Sequence, residues 1–406
     1  MPDPYYVFAN RMNSTIKIIL KPGKEQSVKR LHPWIFSGAI KRIEGTPKEG
    51  DIAEVFSNDH EYLATGHYQI GSIAIRLFSF QQVIPDFQFW RDKIQASWNL
   101  RKALSLTDNP DTNVYRLVNG EGDGLPGLII DYYNGTAVIQ MHSVGMYYLR
   151  SQITAVLQEI YQPSRLTVYD KSENTIPGKA GLNAKNEFLA GDQAVAEVVE
   201  NGNKFRIDVV TGQKTGFFID QRDNRNLLLD YVRGKDVLNM FCYTGGFSVY
   251  ALKGGASSVH SVDSSAQAID LTEKNVFLNF GSGNRHQAFS DDAFGFLNSI
   301  QDSYDVIILD PPAFAKRQDA LNNALQGYKR INIKAFEQIR SGGILFTFSC
   351  SQVVTRENFR KSVFAAAANT GRHVRILHQL VQPPDHPVSI YHPEGEYLKG
   401  LVLYVE

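Results

Sequence analysis

Over the first part of the chain, apolar and polar positions alternate in short bursts broken by turns. Residues 16–20 are apolar and β-branched, and Lys21-Pro22-Gly23-Lys24 reads as a turn. Further bursts at 34–36, 51–56, 62–68 and 73–80 predict short strands. Strands at this spacing predict a small β-barrel. The period then changes. Residues 89–104 carry apolar side chains at helical spacing. A glycine-rich loop at 122–127 leads into strand-like runs at 128–132 and 136–141, followed by a helical run at 149–160 and a strand at 166–169. This middle stretch predicts a compact α+β unit. A hairpin is expected over 196–200 and 204–209, turned by Asn201-Gly202, a favoured two-residue turn. Thereafter strands at 236–241, 258–262, 306–309 and 343–348 alternate with helices at 224–232, 247–253, 266–280, 293–300 and 320–339. That alternation predicts a parallel sheet covered on both faces. The expected division is 1–85, 86–190 and 191–406.

Composition adds little steering. The 406 residues hold 42 basic and 42 acidic side chains, so the net charge gives no general pull toward nucleic acid. The imbalance is local. Between Arg11 and Lys48 stand nine basic residues against two acidic ones, which reads either as a solvated face or as a binding surface. Two cysteines, Cys242 and Cys350, are too few for a disulfide framework or a cysteine-based zinc site. They fit a reducing compartment. No run of about 20 apolar residues predicts a membrane span, and residues 1–10 lack a basic start followed by an apolar run. A cytoplasmic protein is expected.

The most informative block is residues 237–248, Val-Leu-Asn-Met-Phe-Cys-Tyr-Thr-Gly-Gly-Phe-Ser. An apolar strand ends at Phe241, two glycines follow, and a helix begins. Ligands of open α/β sheets bind outside the carboxyl ends of the strands. The next strand runs into Asp263, where a carboxylate can accept hydrogen bonds from ribose hydroxyls. An adenosine-containing cofactor is therefore expected. The block lacks the Gly-x-Gly-x-x-Gly spacing of dinucleotide sites, and no phosphate loop exists. S-adenosylmethionine carries no phosphate and suits this looser turn. Phe241, Tyr243, Thr244, Gly245, Asp263 and Ser264 are its expected lining. Asp292, before the helix at 293–300, reads as an acceptor for the adenine amine or as a helix N-cap.

The strand at 306–309 delivers Asp310-Pro311-Pro312 to the same sheet edge, and the strand at 343–348 delivers Ser349-Cys350-Ser351. Asp310 and Cys350 should thus lie one strand apart. A thiolate at Cys350 would attack C6 of a pyrimidine and activate C5 for methylation. Protonated Asp310 would share its proton with cytosine N3. The bland alternatives are a strand terminator for Asp310 and a buried structural thiol for Cys350. Cys242 reads as a small residue of the cofactor loop, and His386 as structural more readily than catalytic.

These residues resemble the bacterial 23S rRNA cytosine-5 methyltransferases with an N-terminal PUA domain. The resemblance spans nearly the whole chain. It rests on residues 215–225 (Thr-Gly-Phe-Phe-Ile-Asp-Gln-Arg-Asp-Asn-Arg), on 239–247, on 310–314 and on Ser349-Cys350-Ser351. At the N-terminus, residues 31–38 look like the start of the PUA module. The resemblance implies a Rossmann-like class I methyltransferase domain behind a PUA-like barrel and a central α+β domain. It implies Gln221 and Arg222 at the cofactor site, with Arg222 facing the methionine carboxylate, Asp263 on the ribose, Asp292 on the adenine and Cys350 as nucleophile. It implies RNA as partner, 23S rRNA in particular. Most other RNA cytosine-5 methyltransferases carry a second cysteine where this chain has Pro312; the family resembled shares the single-cysteine arrangement.

Two other readings stay open at this point. Asp-Pro-Pro also occurs in methyltransferases of exocyclic amines, such as guanine N2, which need no cysteine. A methyltransferase fold without catalysis would serve as an RNA-binding or assembly protein, although intact Asp263, Asp310 and Cys350 argue against it. A homodimer is left open by the sequence.

Overall fold

The computed structural model describes residues 15–163, 165–177, 181–300 and 304–406. Arg11 of the basic run and residues 1–10, read above for a leader, lie outside them. Three principal sheets follow one another along the chain.

The first has six strands: β1 (Ile16–Leu20), β2 (Trp34–Phe36), β3 (Ile40–Glu44), β4 (Ile52–Phe56), β5 (Tyr62–Tyr68) and β6 (Ile73–Ser79), with a single-turn helix α1 (Gln26–Lys29) after β1. Their order is β2-β6-β5-β4-β1-β3. Ile18, Leu20, Ile35, Val55 and Ile75 meet in one core, as the period-two pattern requires. This is the expected barrel, left open between β2 and β3. The described cations of the basic run (Lys17, Lys21, Lys24, Lys29, Arg30, Lys41, Arg42 and Lys48) are all exposed.

Helix α2 (Phe87–Ala103) is capped by Asp86, whose side chain accepts from the Phe89 N–H. It packs with α4 (Arg150–Ile160), which follows the short α3 (Val144–Tyr148), against a five-stranded sheet. The strands are β7 (Val114–Asn119), β8 (Leu128–Tyr133), β9 (Thr136–Met141), β10 (Thr167–Asp170) and β11 (Glu187–Ala190), in the order β11-β10-β9-β8-β7. Phe78 of β6 is buried in this second core beside Trp90. Trp34 Nε1 and Arg76 Nη1 both donate to Glu121 Oε1, at 2.7 and 2.6 Å. The first two sheets are therefore joined by apolar packing and by a shared carboxylate.

The hairpin β12 (Glu197–Glu200) and β13 (Asn203–Arg206) turns on Asn201 and Gly202, both with positive φ. The third sheet then alternates with helices: α5 (Arg222–Leu228), β14 (Asp236–Met240), α6 (Gly246–Lys253), β15 (Ser258–Asp263), α7 (Ala266–Phe280), β16 (His286–Ser290), α8 (Ala293–Ser299), β17 (Tyr304–Leu309), α9 (Leu321–Gln338), β18 (Ile339–Ser349), α10 (Arg356–Thr370), β19 (Val374–Leu380) and β20 (Lys399–Val405). The order is β16-β15-β14-β17-β18-β20-β19. The first five are parallel neighbours, while β20 runs antiparallel between β18 and β19. Two apolar clusters cover the two faces of the sheet. The strand order reverses at β14 and β17, which pair directly although β15 and β16 intervene in sequence. Such a switch point opens a crevice at the carboxyl edge of the sheet.

Candidate active site

The carboxyl edge at that switch point carries a cavity of about 300 Å³. The loop after β14 forms one wall. Phe241, Tyr243 and Gly245 have φ of 58°, 48° and 74°, so the backbone turns in the left-handed region within a few residues of the strand end. Only glycine does this without steric cost, and the two aromatic residues need external support. Tyr243 N–H donates to Asp263 Oδ2 at 3.0 Å, and its carbonyl accepts from Thr272 Oγ1 at 2.8 Å. Its hydroxyl accepts from the Gln213 N–H at 3.1 Å. The Thr244 carbonyl accepts from Asn275 Nδ2 at 2.9 Å. Asp263 Oδ1 accepts from the Ser265 N–H at 2.9 Å.

The opposite wall comes from β17, β18 and the segment before α5. Because β17 and β18 are adjacent and parallel, with Leu309 opposite Thr347, Asp310 and Cys350 emerge side by side. Cys350 Sγ lies 3.8 Å from the Pro311 carbonyl. Gln221 is hydrogen-bonded to Asp310 and accepts from Asn224 Nδ2 at 2.7 Å. Asp220 is buried; its Oδ2 accepts from the Tyr397 hydroxyl at 2.7 Å, and its Oδ1 has no partner. Lys214 Nζ stands 3.9 Å from Asp220 Oδ2.

The electrostatics separate these groups. Burial, followed by the neighbouring Asp220 charge, pushes Asp310 up to about 7. Burial and the Asp310 charge push the Cys350 thiol up to about 11, with Lys214 opposing. Burial would raise Asp220 too, but Lys214, His386 and the Tyr397 hydroxyl hold it below the usual range. Cys242 is pushed up to about 12 by burial.

Gln221, Phe241, Tyr243, Thr244, Asp263, Ser264, Asp310 and Cys350 all line the cavity. Gly245 caps α6 behind that lining. Two expected cofactor residues are placed elsewhere. Arg222 points away: its Nη1 and Nη2 donate to Asp385 Oδ2 and Oδ1 at 3.0 and 2.9 Å, and both residues are buried. Its Nε faces Asp223 Oδ1 at 3.5 Å, so both edges of the guanidinium already meet carboxylates, and it is not part of the cavity lining. Asp292 caps α8, its Oδ2 accepting from the Gly295 N–H at 2.9 Å, and it is not part of the lining. His386 is buried against Asp385, 3.1 Å from its Oδ1, also outside the cavity. Among the lining residues that had not been singled out for the site are Lys214, Phe218 and Asp220. The last two lie inside the 215–225 block, where a closer reading of the residue before Gln221 would have found the aspartate.

The cavity fits S-adenosylmethionine by its donor set. A carboxylate ends β15, aromatic rings flank the turn, and uncharged backbone fills the wall where a dinucleotide site would place a phosphate-binding glycine loop. A second, wider cleft of about 980 Å³ shares Gln213 and Lys214 with it and reaches Trp34 and Arg76 of the first sheet.

Residues 179–395 match the S-adenosylmethionine-dependent methyltransferase family, and residues 18–80 match the PUA-like domain. The chain belongs to the S-adenosylmethionine-dependent methyltransferases. Ribosomal RNA large subunit methyltransferase I of Aeromonas hydrophila is 41% identical over 394 residues, covering 95% of this chain and 98% of the relative. The protein of the same name from Escherichia coli O157:H7 is 38% identical over 398 residues, covering 96% and 100%. Among solved structures, SMU.776, described as a methyltransferase and crystallised with SAH, superposes with a TM-score of 0.83 at 25% identity, covering 96% of this chain and 100% of that one. S-adenosylmethionine is the cofactor of this methyltransferase, and its architecture is the class I fold behind a PUA-like domain.

Proposed function

We propose that this methyltransferase methylates C5 of a cytosine in large subunit ribosomal RNA, with Cys350 as the covalent nucleophile. The observation that carries the reading is the placement of one thiol and one carboxyl on adjacent strand ends inside the cofactor cavity. A methyltransferase of exocyclic amines has no use for the thiol. The RNA reading rests on the PUA-like domain and on the two relatives named above, which align over nearly their full length. The exposed cations of the first sheet suit phosphate contacts, which fix register without reading sequence. The wide cleft between that sheet and the cavity gives an extruded base a path to the chemistry.

Asp263 would hold the ribose hydroxyls of S-adenosylmethionine, Phe241, Tyr243, Thr244 and Ser264 would flank its adenosine, and Gln221 its methionine end. When bound, the cofactor supplies an electrophilic methyl group on a sulfonium. The chain's own groups prepare the acceptor. Asp310 and Cys350 share one proton in the active state. Cys350 Sγ bonds to C6 of the base, the thiol proton passes to the Asp310 carboxylate, and Asp310 delivers it to N3 as charge develops there. The former C5–C6 π pair leaves C5 nucleophilic. After methylation a base takes the C5 proton, the freed C–H pair re-forms the C5–C6 double bond, the C6–S bond breaks onto Cys350 Sγ, and the N3 proton returns through Asp310 to the pair.

Trapping with RNA containing 5-fluorocytidine tests this directly, because fluorine at C5 cannot leave as a proton. The wild-type protein should form a covalent RNA adduct that maps to Cys350, and C350A should form none and lose methyl transfer. Undiminished transfer by C350A would instead establish an amine-directed enzyme.

A further inference from the structure

Lysine rarely goes inside a protein without an anion to meet it, because an unpaired buried charge is costly. Three buried arginines obey this rule. Arg101 is held by Asp123, Arg222 by Asp385 and Arg225 by Glu200. Lys399 is the exception among the buried cations of the described residues. It opens β20 opposite Ser349 of β18, is 4% exposed, and donates from Nζ to two neutral acceptors: the Ser351 and Tyr397 carbonyls, both at 2.6 Å. Ser351 directly follows the reactive cysteine. Burial pulls Lys399 down to about 8, and the group that most opposes this is Cys350. The other charges it senses, Glu396 and Arg356, are exposed and paired with each other.

We propose that Lys399 is the resident counter-ion of the Cys350 thiolate, a positioning residue whose missing anion is the sulfur itself. Clamped onto the carbonyls of Ser351 and Tyr397, its ammonium is fixed behind the strand end before substrate arrives. Coupling between two sites is reciprocal, so a thiolate that favours the ammonium is favoured by it equally. On the other side of Cys350, Asp310 and Asp220 disfavour the thiolate and Lys214 favours it. Lys214 is the cation that bears most on the thiol from the cavity side; Lys399 differs from it in being shielded from solvent and held on the carbonyl of the next residue. The inference rests on Cys350 being the nucleophile.

The test is the pH dependence of Cys350 alkylation by iodoacetamide on the full-length protein. Peptide mass spectrometry separates Cys350 from Cys242. K399Q keeps a donor amide and loses the charge; K399R keeps the charge. At pH 8, K399Q should react at Cys350 about tenfold more slowly than wild type, with its titration midpoint moved upward, because only the thiolate is alkylated. K399R should stay within about threefold. A wild-type profile in folded K399Q would overturn the proposal. Should K399Q fail to fold, the wild-type profile decides. The thiolate gains its counter-ion only while Lys399 is protonated, so the curve should flatten above about 8; a single smooth titration there would overturn it. Absence of a 5-fluorocytidine adduct in wild type would instead remove the nucleophile reading, and it leaves the alkylation result standing on its own.

Discussion

Arg222 and Asp385 form a two-pronged ion pair between residues 163 positions apart, with neither side chain open to solvent. Asp385 does more than neutralise the arginine. Its Oδ2 also accepts the Arg116 N–H of β7, and its carbonyl accepts from Arg101 of α2. One aspartate thus ties the helix preceding the methyltransferase sheet to the central sheet. Burial opposes ionisation of Asp385, yet His386 and Arg222 hold its carboxyl well below the usual range.

Removing that carboxylate strips the buried guanidinium of its two-pronged anion and leaves it only Asp223, whose Oδ1 stands 3.5 Å from Nε. D385A should therefore lose about 3–5 kcal/mol of stability, read as a lowered midpoint in urea unfolding. A midpoint within experimental error of wild type would show that Asp223 alone suffices as the anion of Arg222.

The Asp310–Cys350 pair gives a pH signature. Asp310 titrates near 7 and Cys350 near 11, and the proposed active state holds one proton between them. Below about 7 the pair is doubly protonated and inactive. Single-turnover methylation should rise with pH through about 7, and D310N should lose that limb together with most of its rate. A rate flat from pH 5.5 to 8.5 in wild type would be incompatible with the proton relay.

Gly245 has φ of 74°, and a Cβ there would stand 2.7 Å from Thr272 Cγ2. G245A combines backbone strain with a clash against the residue that holds the Tyr243 carbonyl. The strain amounts to about 1–3 kcal/mol. The expected result is a smaller thermal shift on adding S-adenosylhomocysteine, with the apo protein still folded. An undiminished shift would mean the turn does not shape the cofactor cavity.

His67 sits in the joint between the first and second sheets, stacked on Trp90 with centroids 5.9 Å apart. Burial depresses it to about 3, so the folded state binds fewer protons than the unfolded one below 6.5. By linkage, stability is retained above about 6.5 and lost progressively as pH falls toward 3. H67F, which cannot take a proton, should show a shallower decline of melting temperature between pH 6.5 and 4.5. Parallel curves for the two proteins would assign the acid sensitivity elsewhere.

The period-two and helical patterns disclosed most elements because their burial is one-sided. Residues 16–20, 34–36 and 62–68 are strands as expected, and Ala266–Phe280 is a helix at the expected bounds. The sequence was silent where other forces decide. His286–Ser290 is a polar strand at the sheet edge with no fully buried position; it exists because its backbone pairs with β15. Val114–Asn119 shows no clean alternation, and its register is set by β8. Arg356–Thr370 buries only four residues, too thin a stripe to announce a helix. At the site, Cys350 and Asp310 were readable because strand ends of a parallel sheet face one way. The role of Arg222 was not, since a distant aspartate claims it. Lys399 opens an apolar strand and looks like an ordinary solvated terminus until the fold closes over it.

Trp34 and Arg76 of the first sheet both grip Glu121, and Phe78 is sunk in the neighbouring core. A module attached at so many points cannot swing on a tether. The central sheet is tied onward to the methyltransferase domain through Asp385, so under the proposed function the distance from that module to Cys350 would act as a ruler. Target choice would then depend on how far a pyrimidine lies from the recognised fold of RNA, and lengthening that intervening stem should redirect methylation to another cytosine at the original separation.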